Sequence, residues 1–445
     1  MKRYETPDEV ARLLARHAPR HVCSVLDPAV GRGVLLKPLV ARFAKSLREL
    51  VCVDSNSRVA RPLHRALGPT ARYNLRFVHA DFLRWSNGRR RRFKEGFDCV
   101  VMNPPFAGRM AEMVRVDLAK ESPKARQGVR FVPIEAAFVT RALGLLRPGG
   151  RLLAVLPSTL IAGLRTIWLR ELLLETGSPL LVHELPTGTF EGVDATVFLL
   201  VYRKAKREAK LTLCNSDLAK PDRIVVNRST LFPQFRLDYK FHKATLWYKT
   251  LGAAFPALGW TKLEELAKLY RGTVESPIRG RHVLHTVNRQ NGFWHGGSPK
   301  VIPGRSCDPV TARRGDLIVA RVGRRCSQSI GLYTGTGAVR CSDCIFVIRP
   351  KNARSATRIL LAMRVLLGWD CGSALVERGT GASYIPKEQL LSLAVPMDIP
   401  AKWPRLFSLY KGAVRRRDAR QMELIESRIR GILSASCGSK CQISS

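Results

Sequence analysis

The stretch that most constrains how this chain can fold is "FDCVVMNPPF", in which an apolar run ends in Asn103-Pro104-Pro105-Phe106. The apolar run is typical of a buried strand. Two consecutive prolines exclude both a helix and a paired strand, so the strand must end there. The stiff, extended segment that follows presents an amide side chain, a proline carbonyl and an aromatic ring in fixed geometry. This combination predicts a site at the tip of a strand.

Short apolar runs alternate with amphipathic helical stretches over residues 1–205. The runs "HVCSVLD", "ELVCVD", "LRFVHAD" and "FDCVVM" are expected to be successive strands separated by helices. This alternation predicts an α/β domain built on a parallel sheet. Residues 206–250 lose the pattern and are expected to form a linker. Residues 251–400, rich in Gly, Thr, Val and short strands, predict a second, α+β domain, and residues 401–445 predict a helical tail.

The charge of the chain indicates an anionic partner. Lysine and arginine total 75 residues against 35 aspartates and glutamates, a formal net charge of +40 with a local peak at residues 89–92. Self-repulsion on this scale opposes compaction and favours binding to a polyanion, with nucleic acid as the leading candidate. The alternative is a generally basic, solvated surface.

The sequence predicts a soluble, cytoplasmic protein that associates with the nucleoid only through DNA. The N-terminal residues lack the apolar segment of a signal peptide, and no apolar run approaches the roughly 20 residues of a membrane helix. The eleven cysteines are scattered, which fits reduced thiols. Cys341 and Cys344 have a C-x-x-C spacing, but no second pair lies at zinc-finger distance, so no metal is expected.

A Gly-rich turn follows the first predicted strand. In "VLDPAVGRG", Asp27 ends the strand, and Gly31 and Gly33 open the next helix. Glycines at such a turn let a ligand approach backbone N–H groups closely. The spacing differs from G-x-G-x-x-G and fits a pyrophosphate poorly. We therefore expect Asp27 to hold a cationic group such as an amine.

Two further acids follow the next two predicted strands. Asp54 is placed to accept hydrogen bonds from both hydroxyls of a ribose, and Asp81, with Phe82 beside it, from the amino group of an adenine. An amine, a ribose and an adenine together describe S-adenosylmethionine, which is the predicted cofactor. The alternative is that each acid only caps the helix that follows it.

Asn103, Pro104 and Phe106 together suit the methylation of an aromatic amine. The exocyclic nitrogen of adenine is a poor nucleophile because its lone pair is delocalised into the ring. The Asn103 side-chain oxygen and the Pro104 carbonyl can accept its two hydrogens, which frees the lone pair to attack a methyl sulfonium, while Phe106 stacks on the base. A base in a duplex must flip out to reach such a pocket. The alternative is an Asx-Pro turn that only ends the strand.

These motifs, in this order, resemble those of the γ class of N6-adenine DNA methyltransferases over nearly half the chain. "ETP", with Thr6, resembles the family's N-terminal motif, which closes over the methionine end of the cofactor. "DPAVGRG", with Ala29, resembles its cofactor loop, and "ADFL" its adenine-contacting motif. Val30 and Arg32 depart from the smaller or more polar residues usual in that loop. The resemblance implies a Rossmann-like class I S-adenosylmethionine-dependent methyltransferase sheet, followed by an α+β target-recognition domain.

The resemblance also implies contacts with the target. In that family an aromatic residue shortly before the last strand stacks on the flipped adenine, which implies this role for Phe190. The second domain resembles the target-recognition domains of type I restriction specificity subunits, in segments such as "RRGDLIVARVG" and "GTGASYIPKEQL". Such domains read bases through loops while lysines and arginines hold phosphates. The candidate DNA contacts are Lys300, Arg321, Arg324 and Arg325.

The favoured hypothesis is a site-specific methyltransferase that modifies N6 of a flipped-out adenine in double-stranded DNA. It is expected to act as a monomer, either as an orphan enzyme or alongside a separate restriction endonuclease. Methylation of rRNA or of a protein glutamine stays open because each target is also a planar NH₂ group, as does a catalytically inactive DNA-binding homologue. Cytosine C5 methylation is excluded because it needs a Pro-Cys nucleophile, and no Pro-Cys dipeptide occurs. Cytosine N4 methylation stays open, although that chemistry usually places Ser where this chain has Asn103.

Overall fold

The computed structural model describes residues 5–68, 72–87, 95–106, 113–117, 128–192, 196–232, 234–273, 283–295, 310–369, 371–379 and 383–437. The chain divides into two compact units, Met1–Tyr239 and Lys240–Ser445. The basic run at residues 89–92 lies outside the described residues. Within the described parts of the chain, none of the helices is both long enough and apolar enough to cross a membrane.

A nine-stranded sheet forms the centre of the first unit. Its first four strands are β1 (Ser24–Asp27), β2 (Glu49–Asp54), β3 (Asn74–His79) and β4 (Phe97–Met102). The next two, β5 (Met113–Asp117) and β6 (Val129–Pro133), pair with each other in a separate two-stranded ribbon. The sheet continues with β7 (Leu146–Pro157), β8 (Gly177–Glu184), β9 (Val197–Lys204), β10 (Lys210–Cys214) and β11 (Arg223–Asn227). The strand order across it is β11-β10-β8-β9-β7-β4-β1-β2-β3.

Helices cover both faces of this sheet, as expected for buried parallel strands. The helices are α1 (Asp8–Arg16), α2 (Leu36–Arg42), α3 (Ala60–Leu67), α4 (Phe82–Ser86), α5 (Ile134–Leu145), α6 (Ser158–Ala162) and α7 (Ile167–Thr176). Alternate residues of β4 enter different hydrophobic clusters: Val100 and Met102 pack in one, Cys99 and Val101 in the other. This period of two explains why every residue of β4 is buried. The α/β fold class predicted from the sequence is confirmed.

The parallel strands place several predicted residues at one edge of the sheet. Five adjacent strands run parallel to one another, in the order β3-β2-β1-β4-β7. Asp27 and Asp54 are the last residues of β1 and β2, and Asn103 directly follows β4. Because the carboxyl ends of parallel strands meet at one edge, the topology gathers these side chains.

The expectation of a linker at residues 206–250 is wrong. Strand β10 pairs with β8, where Leu213 lies opposite Val182, and β11 pairs with β10 at the outer edge of the sheet. Helix α8 (Tyr239–Ala254) occupies the end of the supposed linker. The two strands escaped the sequence pattern because they are short, at five residues each, and because β11 lies at the edge of the sheet. Strand β11 buries none of its residues fully, so it lacks an apolar run.

The second unit combines small sheets with helices, as an α+β domain does. Its strands are β12 (Trp260–Lys262), β13 (Ala267–Arg271), β14 (Val283–Leu284), β15 (Arg289–Gln290), β16 (Phe293–Trp294), β17 (Thr311–Ala312), β18 (Leu317–Ala320), β19 (Gly331–Tyr333), β20 (Val339–Cys341), β21 (Ile345–Pro350) and β22 (Ala394–Pro396). Six form a sheet in the order β13-β21-β18-β19-β16-β15, three form β14-β20-β17, and β12 pairs with β22. After α8, its helices are α9 (Leu263–Leu266), α10 (Ala356–Leu367), α11 (Lys387–Leu391), α12 (Ile399–Lys402), α13 (Pro404–Arg416) and α14 (Ala419–Cys437).

Up to residue 437, the C-terminal part of the chain forms helices that belong to the core of the second unit, where the sequence suggested a helical tail. Met422, Ile429 and Leu433 of α14 are buried in the same hydrophobic cluster as the strands. The Arg364 guanidinium on α10 donates to a carboxylate oxygen of Glu426 at 2.6 Å, and the Tyr410 hydroxyl donates to the same oxygen at 2.8 Å. Helix α14 is therefore fixed to α10 and α13 by both apolar and charged contacts.

Candidate active site

A cavity of about 620 Å³ opens in the first unit, at the carboxyl edge of strands β1 to β4. Its walls come from the N-terminal segment, the turn after β1, the ends of β2 and β3, the segment after β4 and the start of α5. Pockets of about 300–1,000 Å³ are typical of small-molecule sites. The predicted residues that line it are Thr6, Ala29, Gly31, Asp54, Asp81, Phe82, Asn103, Pro104 and Phe106.

The Gly-rich turn uses its two glycines differently. Gly31 lines the cavity with φ +52°, and its N–H donates to a carboxylate oxygen of Asp54 at 3.0 Å. Gly33, with φ +77°, faces α3, where a Cβ would lie 2.5 Å from the Leu63 side chain. Only glycine combines this backbone conformation with so close an approach. Gly31 therefore shapes the cavity, whereas Gly33 seats the turn against a helix.

Asp27 is fully buried and is not one of the described residues that line the cavity. Its carboxylate accepts a hydrogen bond from the Ala29 backbone N–H at 3.0 Å. Burial, and to a smaller extent the nearby carboxylate of Asp54, raise the pKa of Asp27 to about 8 against the lowering effect of the Ala29 hydrogen bond. In this conformation Asp27 shapes the turn from within, and its predicted contact with an amine stays a prediction.

Asp54 organises the loops around the predicted ribose position. One carboxylate oxygen accepts from Gly31 N–H at 3.0 Å, and the other from Asn56 N–H at 2.8 Å. Asp54 also lines the cavity wall, so its carboxylate lies where the ribose hydroxyls are predicted. The Arg58 side chain, which the sequence reading did not single out, also lines this part of the cavity.

Asp81 both lines the cavity and caps a helix. It is the N-cap of α4, where one carboxylate oxygen accepts from Arg84 N–H at 2.8 Å. The capping alternative and the site prediction are therefore both compatible with its position. Behind it, the buried Phe82 ring packs against Phe138 with 5.0 Å between ring centroids. Phe138 and Ile134 line the cavity too, and the sequence did not single them out because α5 is buried on nearly all sides.

The segment after β4 brings Asn103, Pro104 and Phe106 to the cavity wall. The Asn103 amide nitrogen donates to the Thr6 hydroxyl at 3.0 Å, which joins this segment to the N-terminal motif. Pro104 is buried, and Phe106 is half-buried with its ring against the core. The predicted amide, carbonyl and ring therefore lie together in one pocket with Asp54 and Asp81.

Arg32 lies at the surface and does not fill the cavity. Its guanidinium pairs with the Glu5 carboxylate at 3.0 Å, and both side chains are largely exposed. Both residues line the cavity. The pair therefore connects the N-terminal segment to the Gly-rich turn across the pocket, and a pair so exposed contributes little stability by itself.

Phe190 does not reach the cavity in this conformation. Its side chain is 3% exposed and packs in a hydrophobic cluster with Leu185 and Val197. It is absent from the described residues that line the cavity. Its contact with a flipped base stays a prediction that requires the loop after β8 to move.

The predicted DNA contacts in the second unit differ in their surroundings. Arg321 is half-buried and donates to the backbone carbonyl of Asp343 at 2.7 Å. Arg324 and Arg325 are exposed in the turn after β18, where Arg325 has φ +52°. Lys300 lies outside the described residues. All four stay predictions as DNA contacts.

The described residues contain no group of three or more His, Cys, Asp or Glu side chains that could hold a metal ion. Cys341 is buried, and Cys344 is half-buried with its thiol against the Asp343 carboxylate. Cys341 is the last residue of β20, so the C-x-x-C spacing lies at the end of a strand in the second unit.

Residues 68–185 match the family described as Eco57I restriction-modification methylase. This segment includes β3, β4 and the Asn103-Pro104-Pro105-Phe106 segment. The fold, the cavity and the family match make the first unit similar to the methylases of restriction-modification systems.

Several solved structures are similar to the chain. The type IIG restriction endonuclease BpuSI matches 95% of this chain and 65% of its own length, at 14% identity and a TM-score of 0.48. A modification subunit of a putative type I restriction enzyme from Vibrio vulnificus YJ016 matches 48% of this chain and 47% of its own, at 18% identity and a TM-score of 0.40. The M protein of the type I restriction enzyme EcoKI matches 48% of each chain, at 18% identity and a TM-score of 0.37. The chain thus spans less than two thirds of each of these proteins. No curated protein sequence matches it.

Proposed function

We propose that this protein is a site-specific DNA methyltransferase that transfers a methyl group from S-adenosylmethionine to the N6 amino group of adenine. One observation carries the proposal: the Asn103 amide, the Pro104 backbone and the Phe106 ring line the same cavity as Asp54 and Asp81. The first three suit a planar amine, and the two acids suit a nucleoside. A single pocket that serves both ligands fits the transfer of a group between them.

The residues of the cavity fit S-adenosylmethionine. The Asp54 carboxylate lines the cavity beside the Gly31 turn, where it suits ribose hydroxyls, and Asp81 lines it after the next strand, where it suits an adenine amino group. Apolar walls at Val59, Phe82 and Phe138 suit a flat base. When bound, this cofactor supplies an electrophilic methyl group on a sulfonium.

The chain's own part in the reaction is to hold and polarise the target amine. The Asn103 side-chain oxygen and the Pro104 carbonyl accept its two N–H groups, which draws the nitrogen toward tetrahedral geometry and exposes its lone pair. Phe106 stacks on the base and fixes its plane. Positioned hydrogen-bonding groups give a large share of such rate enhancements, and removal of one such group from an oxyanion hole typically costs about 100–1,000-fold.

DNA is the substrate that the charge and the family match support. A net charge of +40 favours a polyanion, and the matching family is described as a restriction-modification methylase. An adenine in duplex DNA must leave the helix to reach the cavity. The protein then acts as an orphan methylase or beside a separate endonuclease.

The test is long-read sequencing of DNA from an expression host that lacks adenine methylation. Wild-type protein should place N6-methyladenine in one short sequence motif, and Asn103→Ala should abolish it. Asn87→Ala is the matched control, because Asn87 is exposed at the end of α4 and should keep full methylation. An unmethylated genome with correctly folded wild-type protein would contradict DNA as the substrate, and full methylation by Asn103→Ala would contradict the catalytic role.

A further inference from the structure

The two-stranded ribbon of β5 and β6 presents an apolar face that is exposed in the described part of the first unit. Val116 and Val132 on its inner face are buried in the core, and Val114 packs against the same cluster. On the outer face, Met113, Val129 and Phe131 are 49%, 47% and 68% exposed. A ribbon of two short strands normally turns polar side chains to water. This outer face is therefore an exception, and it indicates a binding surface.

No other element among the described residues gathers such side chains. The remaining large apolar side chains that are exposed lie one to an element or loop: Leu164, Val225, Phe232, Leu246, Val287, Leu409 and Leu424. Isolated exposed apolar residues are ordinary on protein surfaces. Three exposed apolar side chains on one face of one two-stranded ribbon are unusual.

The outer face begins at the cavity. Met113 pairs with Pro133, and the next residue, Ile134, lines the cavity wall. From Pro133 the face runs through Phe131 to Val129, a distance of about 13 Å at the usual rise of a strand. The ribbon also follows the Asn103 segment in the chain. The exposed face thus extends outward from the rim of the pocket that would receive the base.

A cation lies beside the aromatic ring on this face, and the one carboxylate on the face, Asp117, lies opposite Val129 at the end away from the cavity. Arg115 is exposed and lies directly opposite Phe131 in the ribbon, so the two side chains share the outer face. A guanidinium next to an exposed aromatic ring and aliphatic groups matches a partner with anionic groups and flat apolar surfaces. Nucleic acid has both, in its phosphates and its bases.

We propose that the outer face of this ribbon, formed by Met113, Arg115, Val129 and Phe131, binds DNA beside the flipped adenine. This inference rests on the proposed function of the cavity. Phe131 packs against the bases exposed when the adenine leaves the stack, and Arg115 contacts a backbone phosphate. Apolar side chains inserted at unstacked base steps stabilise deformed DNA in this way.

The first test compares Phe131→Ala with Val225→Ala, a control on β11 whose side chain is 61% exposed. Single-turnover methylation is measured on a duplex with the methylated motif, and on the same duplex with a mismatch opposite the target adenine. Phe131→Ala should slow methylation of the matched duplex about 10-fold, because a stacking contact is lost. The mismatched duplex, which opens more easily, should recover most of that rate. Val225→Ala should match the wild type on both.

The second test compares Arg115→Gln with Arg48→Gln, an exposed control that directly precedes β2 and so lies at the opposite edge of the sheet. Binding to a generic duplex is measured by fluorescence anisotropy over a range of salt concentrations. Loss of one phosphate contact should reduce the slope of log K against log salt by about 0.9. Arg48→Gln should leave the slope unchanged.

The outcomes separate this inference from the proposed function. Suppose that the wild type methylates DNA. If Phe131→Ala is then as fast as Val225→Ala, and Arg115→Gln leaves the salt slope unchanged, the proposal that the ribbon contacts DNA is overturned. Equal slowing of Phe131→Ala on matched and mismatched duplexes overturns its role beside the flipped base. A wild type that methylates no DNA overturns the proposed function, and the salt slope of Arg115→Gln then decides alone whether the ribbon binds DNA.

Discussion

The side-chain amide of Asn103 donates a hydrogen bond to the hydroxyl of Thr6, with 3.0 Å between the nitrogen and the oxygen. An amide whose nitrogen is engaged on one side turns its oxygen to the other side. Thr6, in the N-terminal segment, therefore sets the orientation of the group proposed to accept from the target amine. This hydrogen bond links the N-terminal motif to the proposed methyl transfer as well as to the proposed cofactor site.

Replacement of the Thr6 hydroxyl should weaken turnover more than folding. Thr6→Val keeps the shape but removes the acceptor, so the amide loses its fixed orientation. We expect kcat to fall about 10-fold or more, with a smaller change in the KM for S-adenosylmethionine, because misplaced acceptors mainly affect the transition state. Thr6→Ser keeps a hydroxyl and should restore most of the rate. Equal kcat values for Thr6→Val and the wild type would show that Thr6 does not orient Asn103.

Substitutions of Asp54 and Asp81 should both weaken cofactor binding but should differ in their effect on stability. In Asp54→Asn, an NH₂ group must face the N–H of Gly31 or of Asn56, which leaves a buried donor without an acceptor. We expect a loss of about 1–3 kcal/mol in the free energy of unfolding, together with weaker binding of S-adenosylmethionine. Asp81→Asn keeps an oxygen for Arg84 N–H, so it should weaken cofactor binding with little change in stability. Calorimetric titration and denaturant unfolding of both variants check this contrast.

The two glycines of the turn should respond differently to alanine. Gly33→Ala places a Cβ 2.5 Å from Leu63 at a positive φ, so we expect a loss of stability above the roughly 1–2 kcal/mol of left-handed backbone strain alone. At Gly31 a Cβ meets no atom within 4 Å, so the strain alone should lower stability while the methyl group occupies space that the cofactor needs. Unfolding and cofactor-binding measurements on Gly31→Ala and Gly33→Ala would test this difference. A Gly33→Ala variant as stable as the wild type would contradict the close packing of the turn.

Asp27 should make stability depend on pH. Its pKa is raised from 3.8 to about 8, so the folded protein keeps a proton that the unfolded chain has lost between these values. Since the folded state then binds more protons, the free energy of unfolding should fall as the pH rises through this window. Asp27→Asn cannot ionise, and its oxygen can still accept from Ala29 N–H. Relative to this variant, the wild type should lose up to about 1.4 kcal/mol per pH unit, measured by denaturant unfolding near pH 5 and near pH 8. Parallel pH profiles for the two proteins would contradict the buried, protonated carboxyl.

The sequence indicated the parallel sheet and most of the cavity because both depend on local signals. An apolar run followed by Asp54 or Asn103 marks a strand and the residue at its carboxyl end, and topology then brings these ends together. The signals fail where burial depends on distant contacts. Strands β10 and β11 are defined by pairing at the edge of the sheet, and Phe190 lies in the core although its loop suggested a surface position.

The same limit applies to residues that the sequence reading overlooked. Ile134 and Phe138 belong to a helix that is buried on nearly every side, so no periodicity separates the two residues that line the cavity from those that pack in the core. The apolar outer face of the ribbon was also undetectable, since Met113 and Phe131 read as ordinary strand residues until their exposure is known.

The ion pair between Arg364 and Glu426 has a consequence for how far the second unit can be shortened. Arg364 and Glu426 are largely buried, and α14 also supplies Ile429 and Leu433 to the core. A chain that stops after α13 would keep the guanidinium and the Tyr410 hydroxyl but lose the carboxylate that both contact. Removal of one partner from such a pair typically costs about 3–5 kcal/mol, before the loss of apolar contacts is added. We therefore expect that trimming or tagging the protein inside α14 would strongly destabilise the second unit, so a shortened form of it should extend through Leu433.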